Sequence, residues 1–483
     1  MRVIVLILML FPLLVPQDLL ASVEPMPPGL VSNMDLLLER AMSENLIAGG
    51  VVVVGNSEGI LATASRGRLN SDPGSEPITD RTLFDVASLT KVVATTPAVI
   101  KLLDEGKIGL TDPVSRWFPE FAGSQLTVLH LLTHTSGLAD VRVSSIQGVI
   151  SKAAAQMERR SPGTSFDYAD INFILLGELV HRVSGETLDL FCRERIYEPL
   201  GAKVTQFLPP AGLVPEIAPT SGNRGGVVQD ENARRLGGVA GHAGVFSSAH
   251  DLSRYARLLL GKGTLDGKRI LSEQMVAQMT TPYLCDNGRV KRGLGWDISS
   301  PYSAPKGSYF SDSSFGHTGY SGSSIWIDPE QDLFVIMLTR RSNYRNVKNF
   351  NQLRRDVSTY AAADFRSPGS GEAQPVPVAE LPQIKSRVLV ASTAEKIEIP
   401  VPRSKASARS KWGIDRRAAK CETKKKERHL AKARPGSRTA KLAKARPGSR
   451  TAKLAKARSG HKNSRIPKVA TSEEKKKRRL TKS

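Results

Sequence analysis

Ser88 and Lys91 stand three residues apart in the stretch 84–91, Phe-Asp-Val-Ala-Ser-Leu-Thr-Lys. On a helix that spacing puts both side chains on one face, one turn from each other. A serine hydroxyl is a poor nucleophile until a neighbouring group takes its proton, and a desolvated lysine amine can take it. At a helix N-terminus the serine would also sit among unpaired N–H groups and the positive end of the dipole, which favour a developing oxyanion. The chemistry suggested is acyl transfer through a covalent serine intermediate. Ser-x-x-Lys occurs often by chance, so the rest of the chain must supply the other groups.

The elements that would hold them follow from periodicity. Apolar residues continue at helical spacing over 92–103, so the pair is expected to open a helix. Upstream, Ser32 or Asn33 can cap a helix carrying Met34, Leu37, Leu38, Ala41 and Met42, which Gly49-Gly50 would end. Two β-rich runs, 51–54 and 60–64, flank a turn at 55–59. Downstream, 126–138 reads as a short helix ending at Gly137, with His130 and His134 four apart. That spacing can seat a metal, but no Glu follows His130 and no third ligand is apparent. Packing of a helix against a loop is the reading taken, with no metal and no cofactor.

Tyr168 lies in a loop, 162–170, ahead of a helix over 172–183 that Gly185 closes. Residues 237–244 are dense in glycine, which allows close backbone approach, and they match no phosphate-loop spacing. His242 in that stretch is read as a packing residue, with a place in the cleft as the alternative. A helix over 251–260, capped by Ser247 or Ser248, comes next. Residues 315–322, Phe-Gly-His-Thr-Gly-Tyr-Ser-Gly, open a hairpin with strands at 323–328 and 333–338, and a final helix is expected over 351–363.

The net charge of +23 over 483 residues hides a division. From Lys385 onward there are 33 Lys and Arg against 7 Asp and Glu, whereas the remainder is close to neutral. Residues 1–21 read as a secretory signal, too short for a comfortable membrane span, with an uncleaved anchor as the alternative. That places the protein in the periplasm or outside the cell. Residues 22–366 form the globular body, and 367–402 are a Pro- and Ser-rich linker. Residues 403–483 are a basic low-complexity tail with a 12-residue repeat, LAKARPGSRTAK, beginning at Leu430 and Leu442. Prolines and a lack of apolar residues make that tail disordered in expectation. Trp412 is its one Phe, Tyr or Trp, which leaves the basic runs without interleaved aromatics, so nucleic acid is a poorer partner than an anionic envelope polymer or membrane surface. Cys192, Cys285 and Cys421 form no framework; a Cys192–Cys285 bridge and buried free thiols both remain open.

Ser88-x-x-Lys91, Tyr168 and His317-Thr318-Gly319, in that order and in helix, loop and strand settings, resemble the serine β-lactamase and penicillin-binding protein superfamily. The nearer likeness is to its class C branch, which includes DD-peptidases and esterases, over roughly residues 32–365. The resemblance implies an α/β (α+β) fold with an antiparallel sheet flanked by helices and a helical subdomain at about 111–236. It implies Ser88 as nucleophile, and Lys91 as base or as the group that keeps its neighbours correctly protonated. Tyr168 would shuttle the proton to the leaving group. His317, Thr318 and Gly319 would line the cleft, Thr318 would bind a substrate carboxylate, and the N–H groups of Ser88 and Tyr320 would form the oxyanion hole. Asp170 stands where the family's Tyr-x-Asn motif has Asn, so either its pKa is raised or the preferred substrate differs. His317 replaces a frequent lysine, which weakens attraction for a carboxylate. The expected activity is DD-carboxypeptidase-like hydrolysis of cell-wall peptides. The alternatives are an esterase of the same fold and a polyanion-binding protein acting through its tail.

Overall fold

Ile47–Gly55 is the strand around which the two cores divide. Val51 and Val53 face one apolar cluster, while Val52 and Val54 face the other. This is the period of two that a β-strand imposes on its side chains. All four valines are buried, and each contributes about 1.5–3 kcal/mol relative to exposure. The computed structural model describes residues 29–156, 160–220, 224–363 and 379–380. The expected signal at 1–21, the tail at 403–483 and all of the linker but 379–380 lie outside them.

Among the described residues the main sheet has nine strands. From one edge it runs Ala379–Glu380, Tyr283–Cys285, Val290–Arg292, Asp297–Ser299, Phe315–Thr318, Ser324–Asp328, Leu333–Arg341, Ile47–Gly55 and Ile60–Gly67. The first pair is parallel and the others antiparallel. Helices Leu30–Ser43 and Val347–Ala363 pack on one face, sharing a core with Val52, Val54 and Trp326. The larger core on the other face holds helices Thr96–Asp104, Asp170–Ser184 and Ala249–Leu260. A small sheet of Gln206–Phe207, Val245–Ser247, Leu83–Asp85 and Ile217–Ala218 stands beside it. No helix of the described residues is long and apolar enough to cross a membrane.

Several boundaries differ from the sequence reading. Helix Leu30–Ser43 starts ahead of Ser32 and Asn33, with Gly29 at the cap and no side-chain cap bond. Fully buried Leu30 shows that apolar contact, rather than capping, sets this start. Gly49 and Gly50 lie inside a strand and end no helix. Phe84 and Asp85 are also in a strand, so the helix carrying Ser88 begins only after Val86. The expected helix over 126–138 shrinks to Val128–Leu132, because His134 takes φ +55° and breaks it before Gly137. Thr127 caps it with His130 reciprocating. The helix after Tyr168 begins at Asp170, and the last helix begins at Val347. Cys192 and Cys285 are both buried free thiols, which removes the bridge.

Candidate active site

The strand Leu83–Asp85 feeds a tight turn in which Ala87 has φ +48°. A β-carbon makes that conformation unfavourable, so the surroundings must hold it. The Asp85 carboxylate does so, with one oxygen accepting the Ala87 N–H at 2.8 Å and the other the Gln229 N–H at 2.6 Å. One turn of 3₁₀ helix, Ala87–Leu89, then a π-turn, Lys91–Thr95, lead into the α-helix Thr96–Asp104. Single π-turns of this kind recur at functional sites. Ser88 stays partly exposed at the cleft, whereas Lys91 is fully buried beneath it.

Lys91 Nζ has three acceptors around it: Ser88 Oγ at 3.0 Å, the His242 carbonyl at 3.1 Å and Asp170 Oδ1 at 2.7 Å. Three acceptors match the three N–H bonds of an ammonium. Burial opposes the charge, but the Asp170 carboxylate and then Tyr168 overcome it and hold Lys91 above its usual range. Burial likewise opposes an ionised Asp170, yet Lys91 and then His242 hold that carboxyl below its ordinary value. Of the two expectations for Asp170, the raised pKa is therefore corrected: the lysine beside it wins over burial.

Tyr168 is placed by a histidine. His134 stacks on its ring with centroids 4.5 Å apart. The His134 Nδ1 accepts the Ala169 N–H at 3.3 Å, so the ring hydrogen is on Nε2. Asn172 Nδ2 lies 3.2 Å from the same nitrogen. Burial, then the charges of Arg292 and Lys91, keep His134 neutral, well below the ordinary histidine value. His134 thus packs a helix end against the Tyr168 loop, as the sequence suggested. The Lys91 ammonium lies 5.2 Å from the Tyr168 ring centroid, and the His317 ring is 6.0 Å away on another side.

The strand Phe315–Thr318 forms the opposite wall. Its turn is docked on the nucleophile turn by Ser321 Oγ and Ser323 Oγ, which donate to the carbonyls of Asp85 and Val86 at 2.6 and 2.8 Å. A side chain at Gly319 would meet the Val86 carbonyl at 2.4 Å, so glycine is what permits this approach. The segments that carry the Ser88 and Tyr320 N–H groups are thereby tied together. His317 donates from Nδ1 to the Thr318 carbonyl at 2.8 Å, and burial keeps the ring neutral. Its other nitrogen then offers a lone pair, not a donor, to the cleft. Tyr320 is exposed at the mouth and packs, tilted, against Tyr344 with ring centroids 5.0 Å apart.

Ser88, Tyr168, Asp170, His317, Thr318, Gly319 and Tyr320 all line one cleft of about 590 Å³, with Lys91 at its base. The sequence reading missed two groups in it. Arg341 and Arg354 also line the cleft, and among the described residues neither is paired with a carboxylate. Arg354 donates to the carbonyls of Gly319 and Ser323, and burial lowers it to about 9. Arg341 donates to the Tyr320 carbonyl at 3.1 Å, and burial lowers it as well. Nothing in the local sequence singles out these arginines, because only the fold carries them to Thr318. Asp230 is the second omission. Its carboxylate, Asp170 and His242 bring three ligand-type atoms within 4.8 Å of one another. Within it Asp170 is paired with the Lys91 ammonium at 2.7 Å and Asp230 with His242 Nε2 at 2.9 Å.

The Beta-lactamase family pattern matches residues 34–358. A protein of Salmonella schwarzengrund (strain CVM19633) that carries the provisional name D-alanyl-D-alanine carboxypeptidase is 31% identical over 307 residues, 54% of this chain and 70% of its own length. The fold is shared with a penicillin-binding protein homologue from Caulobacter crescentus, at TM-score 0.58 and 20% identity, covering 70% of this chain and 98% of that one. It is also shared with EstCE1, a hydrolase with promiscuous acyltransferase activity, at TM-score 0.57 and 20% identity, covering 68% and 98%. With the nucleophile-like serine, its buried lysine and the facing strand in one cleft, the chain belongs to the beta-lactamase family and is a serine hydrolase.

Proposed function

We propose that the protein hydrolyses acyl–D-amino acid peptide bonds through an acyl-enzyme on Ser88, as a DD-carboxypeptidase-like enzyme acting on cell-wall peptides. The observation that carries the reading is the 3.0 Å contact between Ser88 Oγ and a buried Lys91 ammonium at the base of the cleft. An ammonium has no lone pair, so it cannot take the serine proton; it lowers the energy of the alkoxide instead. The proton is then carried by Tyr168, with the lysine charge beside it. Ser88 Oγ bonds to the acyl carbon, and the Tyr168 hydroxyl takes the serine proton as it gives its own to the amide nitrogen. The tetrahedral intermediate then collapses, the C–N bond breaks and the protonated amine leaves, with Tyr168 unchanged. Water then attacks the acyl-enzyme and regenerates Ser88.

Arg341 and Arg354 favour an anionic leaving group, which a C-terminal D-amino acid has and a simple ester lacks. The name of the Salmonella relatives points the same way. Turnover of a D-Ala-D-Ala peptide, a chromogenic β-lactam and a short-chain nitrophenyl ester should be measured side by side. The peptide is expected to have the highest kcat/KM; an ester preference of more than about tenfold would move the assignment to an esterase.

A second activity is favoured by the charge of the C-terminal segment, 33 basic against 7 acidic residues from Lys385. It would hold the enzyme to anionic envelope surfaces, and with the apolar stretch in residues 1–21 it makes an exported, periplasmic or secreted enzyme our reading.

A further inference from the structure

Asp230 and His242 take no part in the acyl transfer described above, yet they touch its machinery. The His242 carbonyl accepts from Lys91 at 3.1 Å, and the His242 side chain is only 1% exposed. Its Nε2 lies 2.9 Å from Asp230 Oδ1. Burial would raise the Asp230 carboxyl, but the bond and charge of His242 and the Ala233 N–H hold it at about 2. An ionised carboxylate only accepts, so the His242 hydrogen is on Nε2 and points at Asp230. The same Asp230 oxygen accepts the Ala233 N–H at 2.7 Å.

One residue before Asp230, the Gln229 N–H donates to Asp85, whose other oxygen holds Ala87, the neighbour of Ser88. A closed ring results. It leaves Ser88 through Lys91, passes His242 and Asp230 to Asp85, and returns through Ala87. A side chain at Gly241 would fall 1.9 Å from the Phe173 carbonyl, so the backbone carrying the His242 carbonyl is pressed directly against a helix.

We propose that Asp230 and His242 are positioning residues for the acyl-transfer reaction. By pinning the His242 ring, Asp230 fixes the carbonyl that takes one of the three Lys91 N–H bonds, and the remaining two stay aimed at Ser88 and Asp170. Without that acceptor the buried ammonium turns to satisfy its free N–H, and the contact to Ser88 lengthens. Displacements of that size at a reacting group are expensive in rate. The proposal rests on Ser88 being the nucleophile.

The test is pre-steady-state acylation of the full chain by a nitrophenyl ester, reading the acylation rate constant and the binding constant separately. Asp230→Asn and His242→Ala are each expected to slow acylation at least about tenfold, with binding changed less than about twofold. His242→Gln keeps an N–H for Asp230 and should retain most of the rate. Asp85→Asn with Asp230→Asn should be no slower than the slower single variant, because a ring opened twice is no more open than a ring opened once. A rate for Asp230→Asn within about twofold of the unmodified protein overturns the proposal. So do losses that multiply, or a His242→Gln as slow as His242→Ala. Ser88→Ala separates the two readings: a nitrophenol burst that survives it removes the nucleophile, whatever the ring variants do.

Discussion

Asp170 Oδ1 lies 2.7 Å from Lys91 Nζ, and this contact decides which form of the lysine faces Ser88. With asparagine at that position the lysine would have a neutral neighbour and could give up its proton. With aspartate it stays an ammonium, and the work of moving the serine proton shifts to Tyr168. The carboxylate also adds negative charge beside a cleft whose far end holds two arginines without carboxylate partners among the described residues.

Asp170→Asn should therefore change selectivity. One unit charge at about 8 Å in a partly screened site is worth about 2 kcal/mol at an effective dielectric constant near 20. Acylation by an anionic β-lactam should rise about thirtyfold relative to acylation by a neutral nitrophenyl ester, measured as the ratio of second-order rate constants. The variant should also lose stability. Because the Asp170 pKa is depressed in the folded state, its contribution is present above the unfolded value near 4 and fades as pH falls through the folded one. Urea midpoints of the two proteins should differ at pH 7 and converge in acid.

Tyr168→Phe removes the proton acceptor and little else, since the His134 stack needs only the ring. The acylation rate constant should fall about 10²–10³-fold while the binding constant stays within about threefold. A loss confined to binding would make Tyr168 a contact residue rather than a proton carrier. Stopped-flow release of nitrophenol distinguishes the two.

Asp85 provides a pH test of the nucleophile turn. Burial raises its carboxyl to about 6, and the N–H groups of Gln229 and Ala87 only partly offset that. A raised folded pKa means that the folded state binds the proton more tightly than the unfolded chain. Stability is then highest below the unfolded value near 4, falls between pH 4 and 6 by roughly 3 kcal/mol, and is flat above. Asp85→Asn should abolish that slope, as read from urea denaturation at pH 4, 5, 6 and 7. A slope left unchanged would show that another group causes it.

The basic segment is tested by deletion of residues 403–483. The full chain should bind phosphatidylglycerol vesicles and be released as salt screens the attraction, and the truncated chain should not bind. Equal retention by both would remove the surface-holding role.

Much of this site was legible because acyl transfer demands particular residue types in a particular order. Ser88-x-x-Lys91, Tyr168 and His317-Thr318-Gly319 are local patterns, and each fell on the element expected apart from the strand at Phe84 and Asp85. His134 was readable as a packing residue, though not as the platform under Tyr168, because the contact spans a break in the helix that only its φ of +55° creates. Arg341, Arg354 and Asp230 were not legible. Each is an ordinary surface-type residue in its own segment, and it acquires meaning from contacts that only the fold makes, Arg341 with Tyr320, Arg354 with Gly319 and Ser323, and Asp230 with His242. Helix starts at Leu30 and Val347 were missed as well: buried apolar contact sets the first, which has no side-chain cap bond, and Asn346 caps the second by accepting the Asn349 N–H at 3.2 Å.

Intact-protein mass spectrometry after incubation with benzylpenicillin, and separately with an activated ester, tests the central claim most directly. The chain should gain the mass of one acyl group with either reagent, the modified peptide should contain Ser88, and Ser88→Ala should gain none. An adduct that survives Ser88→Ala, or a chain that no reagent acylates while it still turns over substrate, would contradict an acyl-enzyme on Ser88.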